Sequence, residues 1–96
     1  GLGVDAGKFG WYGIAKVKEA EGKLDEAYEI LNKLIQEEPN DEKNYVVASE
    51  FLINHYPDKA KEFMEENLKK HPEFKHLNHL FTESVLNQFE DNVEKI

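Results

Sequence analysis

The stretch WYGIAKVKEAEGKLDEAYEILNKLIQEEP, residues 11–39, returns in altered form as YVVASEFLINHYPDKAKEFMEENLKKHP, residues 45–72. Ala27 and Ala60 lie 33 residues apart, as do Leu31 and Met64, and as do Pro39 and Pro72. In both stretches the apolar residues recur at helical spacing. A period of that size marks a stacked array of helix-turn-helix units, because one helix pair cannot bury its apolar face alone. Such arrays usually serve as binding surfaces rather than active sites.

Working outward, the patterning predicts five helices. The first runs from about Phe9 to Glu21, with Trp11, Ile14, Ala15 and Val17 on one side, and Gly22 ends it. The second runs from about Leu24 to Glu37, with Leu24, Ala27, Tyr28, Leu31, Leu34 and Ile35 on its core stripe. Pro39 closes it, since proline disfavours helix in the residue before it. Asp41 is the expected N-cap of the third helix, about Glu42 to His55, whose core residues are Tyr45, Val46, Ala48, Ser49, Leu52 and Ile53. Pro57 or Asp58 opens the fourth, about Lys59 to Lys70, with Ala60, Phe63, Met64 and Leu68 inward. Lys69, Lys70 and His71 suit the negative end of its dipole, and Pro72 stops it. In the fifth, about Glu73 to Glu94, Phe74, Leu77, Phe81, Val85, Phe89, Val93 and Ile96 share one broad face. Leu86 lies at the edge of that face and Leu80 points away from it.

The order Trp11-x2-Ile14-Ala15, Ala27-x3-Leu31, Pro39 resembles a tetratricopeptide repeat. The second copy reads Tyr45-x2-Ala48-Ser49, Ala60-x3-Met64, Pro72. In this alignment Trp11 stands opposite Tyr45, and the second copy is one residue shorter between its first helix and Ala60. Lys18 stands where the family usually has Tyr. A third copy begins with Phe81-Thr82 and stops before a second helix. The resemblance covers roughly residues 8–81. It implies an all-α fold of antiparallel helix-turn-helix pairs, stacked as a short right-handed superhelix of two repeats plus a long C-terminal capping helix. Residues 1–7 are read as a linker or expression remnant, 8–41 and 42–73 as the repeats, and 74–96 as the cap. A chain that opens with Gly rather than Met is read as a processed product or an excised piece.

Composition narrows the function classes. The 96 residues carry 20 acidic and 12 basic side chains, a net charge of −8, and every basic residue is Lys. Nucleic-acid sites lean on arginine for bidentate phosphate and guanine contacts, so neither nucleic acid nor an anionic membrane is an expected partner. With no Cys, a disulfide framework, a thiolate metal site and a cysteine nucleophile are excluded. No apolar run is long enough to span a bilayer. The compartment stays open, with the cytoplasm favoured.

The family's concave face comes from the first helix of each pair. Carried over by register, it comprises Phe9, Tyr12, Lys16 and Glu19, then Lys43, Val46, Glu50 and Asn54, then His76, His79 and Glu83. Exposed Phe9 and Tyr12 beside Lys16 would suit a peptide with an apolar anchor, or would merely cover the open end of the first pair. Some relatives clamp a carboxylate chain terminus with Lys and Asn pairs on this face. Here Tyr12 and Lys16 occupy the first pair and Val47 stands in place of an Asn, so that clamp is not matched.

His76, His79 and Glu83 have the spacing to meet one metal ion, but they fall on the polar face of their helix, and no metal is expected. Glu37-Glu38 and Glu65-Glu66 read as solvated acids rather than catalytic carboxylates. No nucleophile elbow, phosphate loop or HExxH is present, so the chain reads as neither an enzyme nor a cofactor protein. The leading expectation is a non-catalytic module that binds a peptide or partner protein in a helical groove. The alternatives are a self-association element using Leu80 and Leu86, giving a homodimer, and an accessory domain of a larger enzyme.

Overall fold

A computed structural model describes the backbone of residues 7–94 and the side chains of residues 10–87. The described chain is all-helical: α1 Gly7–Ala20, α2 Leu24–Glu37, α3 Glu42–His55, α4 Pro57–Lys70 and α5 Lys75–Glu94. α2 and α3 begin and end where the sequence patterning puts them. α4 starts at Pro57, one of the two residues expected to open it, where a missing N–H costs nothing. α5 starts at Lys75 because Pro72 and Glu73 form a turn, closed by the Phe74 amide donating to the His71 carbonyl at 3.1 Å.

Helix boundaries repeat with the same interval as the sequence. Leu24 and Pro57 start α2 and α4, Glu37 and Lys70 end them, and Glu42 and Lys75 start α3 and α5, each pair 33 residues apart. The C-cap residues just past α2 and α4 share a conformation too, Glu38 at φ −132°, ψ 73° and His71 at φ −133°, ψ 69°. The connections within the pairs differ. Between α1 and α2 lie Glu21, Gly22 and Lys23; between α3 and α4 lies Tyr56 alone. Gly22 adopts φ +82°, and the Lys23 and Gly22 amides donate to the Lys18 and Glu19 carbonyls at 2.9 and 3.0 Å. Those two bonds and the left-handed glycine form the helix-ending turn that glycine favours.

The chain forms two compact units, residues 1–48 and 49–96, with the division inside α3. In the first unit α1 packs along α2. Its buried residues are Tyr12, Ala15, Ala27, Leu31, Leu34, Asn44, Tyr45 and Ala48. Ala15 and Ala27 are small residues that let two helices approach closely. In the second unit α4 packs on α5, and Ser49, Phe51, Leu52, Ala60, Met64, Phe74 and Leu77 are buried. The His71 ring stacks on Phe74 with centroids 4.4 Å apart and planes 6° from parallel, and its Nδ1 lies 3.3 Å from Glu73 Oε2.

Burial corrects the expected face of α1. Tyr12 and Ala15 are buried, whereas Ile14 is 37% and Val17 57% exposed. Tyr12 and Ala15 lie 33 residues before Tyr45 and Ala48, which are also buried. The two first helices therefore match as Tyr12-x2-Ala15 with Tyr45-x2-Ala48, and no residue is lost between copies. Trp11, half-buried, stands opposite Asn44 rather than Tyr45. The physical reason is a polar one: with this face inward, the Tyr12 hydroxyl meets the Asn44 side chain. On α5, Phe81 and Val85 are half-buried; Phe89, Val93 and Ile96 lie outside the described side chains.

Candidate functional site

The candidate residues on α1 are Tyr12, Lys16 and Glu19, spaced four and three apart and so close to one side of a helix. Those on α3 are Lys43, Val46, Glu50 and Asn54, a second such row. Asp41 fixes the start of α3. Its Oδ1 accepts from the Lys43 amide at 3.0 Å and its carbonyl from the Asn44 amide at 3.2 Å, which is the N-cap role its sequence position suggests.

One turn into α3, Asn44 is 1% exposed and makes three hydrogen bonds. Its Nδ2 donates to the carbonyls of Leu34 and Glu38, each at 3.1 Å, and its Oδ1 accepts from the Tyr12 hydroxyl. Each of these carbonyls also accepts a backbone amide, Leu34 from Glu38 at 3.0 Å and Glu38 from Asp41 at 3.2 Å, so Asn44 adds a second donor to both. Tyr45 adds a bond from its hydroxyl to the Pro39 carbonyl at 2.6 Å. Two adjacent side chains of α3 thus hold the α2–α3 turn, and Tyr12 joins α1 to it.

The Lys43 ammonium lies 5.8 Å from the centroid of the Tyr12 ring, within cation–π range. Burial of Tyr12, and secondarily the nearby negative charge of Glu38, push its phenol up to about 12. Burial likewise raises Tyr45. Tyr12 is therefore a neutral, fixed ring at neutral pH.

The first unit accordingly brings Tyr12 of α1 and Lys43 of α3 together. Lys16 and Lys43 are exposed, and Glu19 and Val46 are half-buried. Tyr12 is not the exposed anchor expected from sequence: at 8% exposure it supplies support, because its ring closes α1 on the core and its hydroxyl serves Asn44. Phe9 lies outside the described side chains. Glu50 and Asn54 are exposed on the part of α3 that belongs to the second unit. Asn44 went unrecognised in the sequence, where an Asn in the first turn of a helix reads as surface. The available signal was its spacing: Trp11, Asn44 and Leu77 fall at the same 33-residue interval, a core position of α5 among them.

The other constellations stay apart. His79 Nε2 lies 3.0 Å from Glu83 Oε1 on the exposed surface of α5, and no group of three His, Asp or Glu among the described residues could hold a metal ion. Glu65 and Glu66, with Glu62 and Lys69, line an open groove along α4. Leu80 is half-buried and Leu86 is 53% exposed. No described helix is long and apolar enough to cross a membrane. No protein-family model, no curated protein and no solved structure matches this chain.

Proposed function

We propose that the chain is a non-catalytic interaction module of tetratricopeptide type that binds a peptide or partner protein on the surface shared by α1 and α3. In this reading the helix pairs form a short right-handed stack with α5 as its cap. Support comes from the 33-residue recurrence of helix starts, helix ends and capping conformations. The observation that supports this surface is the Lys43 ammonium 5.8 Å from the centroid of the Tyr12 ring, one candidate residue from each helix within the first unit. Exposed Lys16 and Lys43 beside half-buried Val46 suit a peptide that carries a carboxylate and an aliphatic side chain.

Selection from a random peptide display library tests this. The selected peptides should carry an acidic residue near an aliphatic or aromatic one. The double variant Lys16→Glu, Lys43→Glu should lose them while keeping the wild-type circular dichroism. Selected peptides that bind this variant as tightly as the wild type would reject the surface.

A further inference from the structure

Lys43 and Asn44 are adjacent on α3, the first exposed and the second buried. Both reach Tyr12 of α1. The Tyr12 hydroxyl donates to Asn44 Oδ1, and the Lys43 ammonium lies over the Tyr12 ring, 5.8 Å from its centroid. One side chain thus holds the end of the ring while its neighbour rests over the face.

A phenol hydroxyl stands at the far end of the ring's long axis, so a bond there fixes the direction of that axis. Asn44 is itself fixed, because its Nδ2 donates to the Leu34 and Glu38 carbonyls, each at 3.1 Å. Lys43 is held at its backbone as well, its amide donating to Asp41 Oδ1 at 3.0 Å. A free lysine side chain samples many rotamers and loses them when it pairs with a carboxylate. An ammonium already drawn to a fixed aromatic face has given up part of that freedom beforehand. The acid nearest in effect is Glu38, whose charge adds to burial in raising the Tyr12 phenol.

We propose that Asn44 is a positioning residue of the α1–α3 surface: through the Tyr12 hydroxyl it fixes the ring on which the Lys43 ammonium rests, and so sets Lys43 ready for the carboxylate of a bound peptide. The role in peptide binding rests on the surface proposed above; the ordering of Lys43 does not.

The ordering is read in the free protein by carbon-edited NMR of the lysine side chains. Protons over an aromatic face shift upfield, so the Lys43 ε-methylene should lie upfield of those of the exposed Lys33 and Lys61. Tyr12→Phe keeps the ring and removes only the hydroxyl; it should lose most of that shift, as should Asn44→Ala. Ala60→Leu, which overpacks the second unit, should keep it, which separates positioning from lost stability. A display-selected acidic peptide should bind Tyr12→Phe about two- to tenfold more weakly than the wild type, the worth of one long side chain ordered in advance. A Lys43 shift that survives Tyr12→Phe and Asn44→Ala overturns the proposal, and its collapse in Glu38→Gln would give Lys43 to that acid instead. Equal affinity of Tyr12→Phe and the wild type, with the shift lost, overturns the link to binding. If the Lys16→Glu, Lys43→Glu variant binds the peptide as tightly as the wild type, the α1–α3 reading fails, while the shift still decides the ordering of Lys43.

Discussion

The Tyr12 hydroxyl donates a hydrogen bond to Asn44 Oδ1 across 32 residues of chain. The same Asn44 side chain donates through Nδ2 to the Leu34 and Glu38 carbonyls at the end of α2. One buried amide therefore ties α1, the α2 terminus and α3 together. Removing it takes away three side-chain hydrogen bonds, while the Leu34 and Glu38 carbonyls keep the Glu38 and Asp41 amides as donors at 3.0 and 3.2 Å. Asn44→Ala should cost roughly 1–3 kcal/mol, the net worth of the buried side-chain hydrogen bonds that are lost. Tyr12→Phe removes one of the three bonds and should cost about 1 kcal/mol. In a double-mutant cycle by urea unfolding the two losses should fall short of additive. Additive losses would mean that the bond contributes nothing to stability.

Alkaline titration should show the same contact. Tyr12 in the folded chain is raised to about 12 by burial first and by Glu38 second, against an unfolded value near 10. The unfolded chain therefore loses this proton at lower pH than the folded one. The stability associated with the neutral phenol is fully present below pH of about 10 and is lost as pH rises towards about 12. Thermal melts across that window should show a falling midpoint, with a shallower fall in Tyr12→Phe. Tyr45 is raised in the same direction by burial, so some slope should persist in the variant.

Two glycines should respond in opposite directions. Gly13 sits inside α1 with open space around its Cβ position, so Gly13→Ala should raise stability by about 0.5–1 kcal/mol through helix propensity. Gly22 adopts φ +82°, so Gly22→Ala should lower stability by about 1 kcal/mol despite equally open space. Thermal midpoints measured side by side check both signs.

Ala27 and Ala60 occupy equivalent places in the two halves and both are fully buried. Enlarging either to Leu should overpack its own unit and cost about 1–3 kcal/mol. A urea midpoint equal to that of the wild type for either variant would contradict the close helix approach at that position.

The helices were legible in the sequence because their signals are local. Gly22, Pro39, Asp41 and Pro72 mark ends by backbone conformation alone, and α2 carries a clean apolar stripe. The inward face of α1 was not legible. Trp11, Tyr12, Ile14, Ala15 and Val17 form a nearly continuous apolar run, and Gly10 and Gly13 add no side chains to bias it. Periodicity then fits either face, and the choice depends on a polar partner, Asn44, supplied by another helix. The partner itself reads as surface because an amide's burial follows from tertiary hydrogen bonds rather than from its neighbours in sequence. Val17 shows the converse: an apolar residue at helical spacing that the fold leaves exposed. Among the candidate binding residues, Lys16 and Lys43 are exposed, whereas Tyr12, read from the sequence as an exposed anchor, is buried and supports the core.

The most direct measurement is an amide chemical-shift titration of the full chain with a display-selected acidic peptide. Binding at the α1–α3 surface predicts the largest shifts at Lys16, Glu19, Lys43 and Val46, saturating with the affinity measured for the wild type and absent in the Lys16→Glu, Lys43→Glu variant. Shifts confined to Ile14, Val17 and Leu86, with Lys16 and Lys43 unmoved, would contradict it.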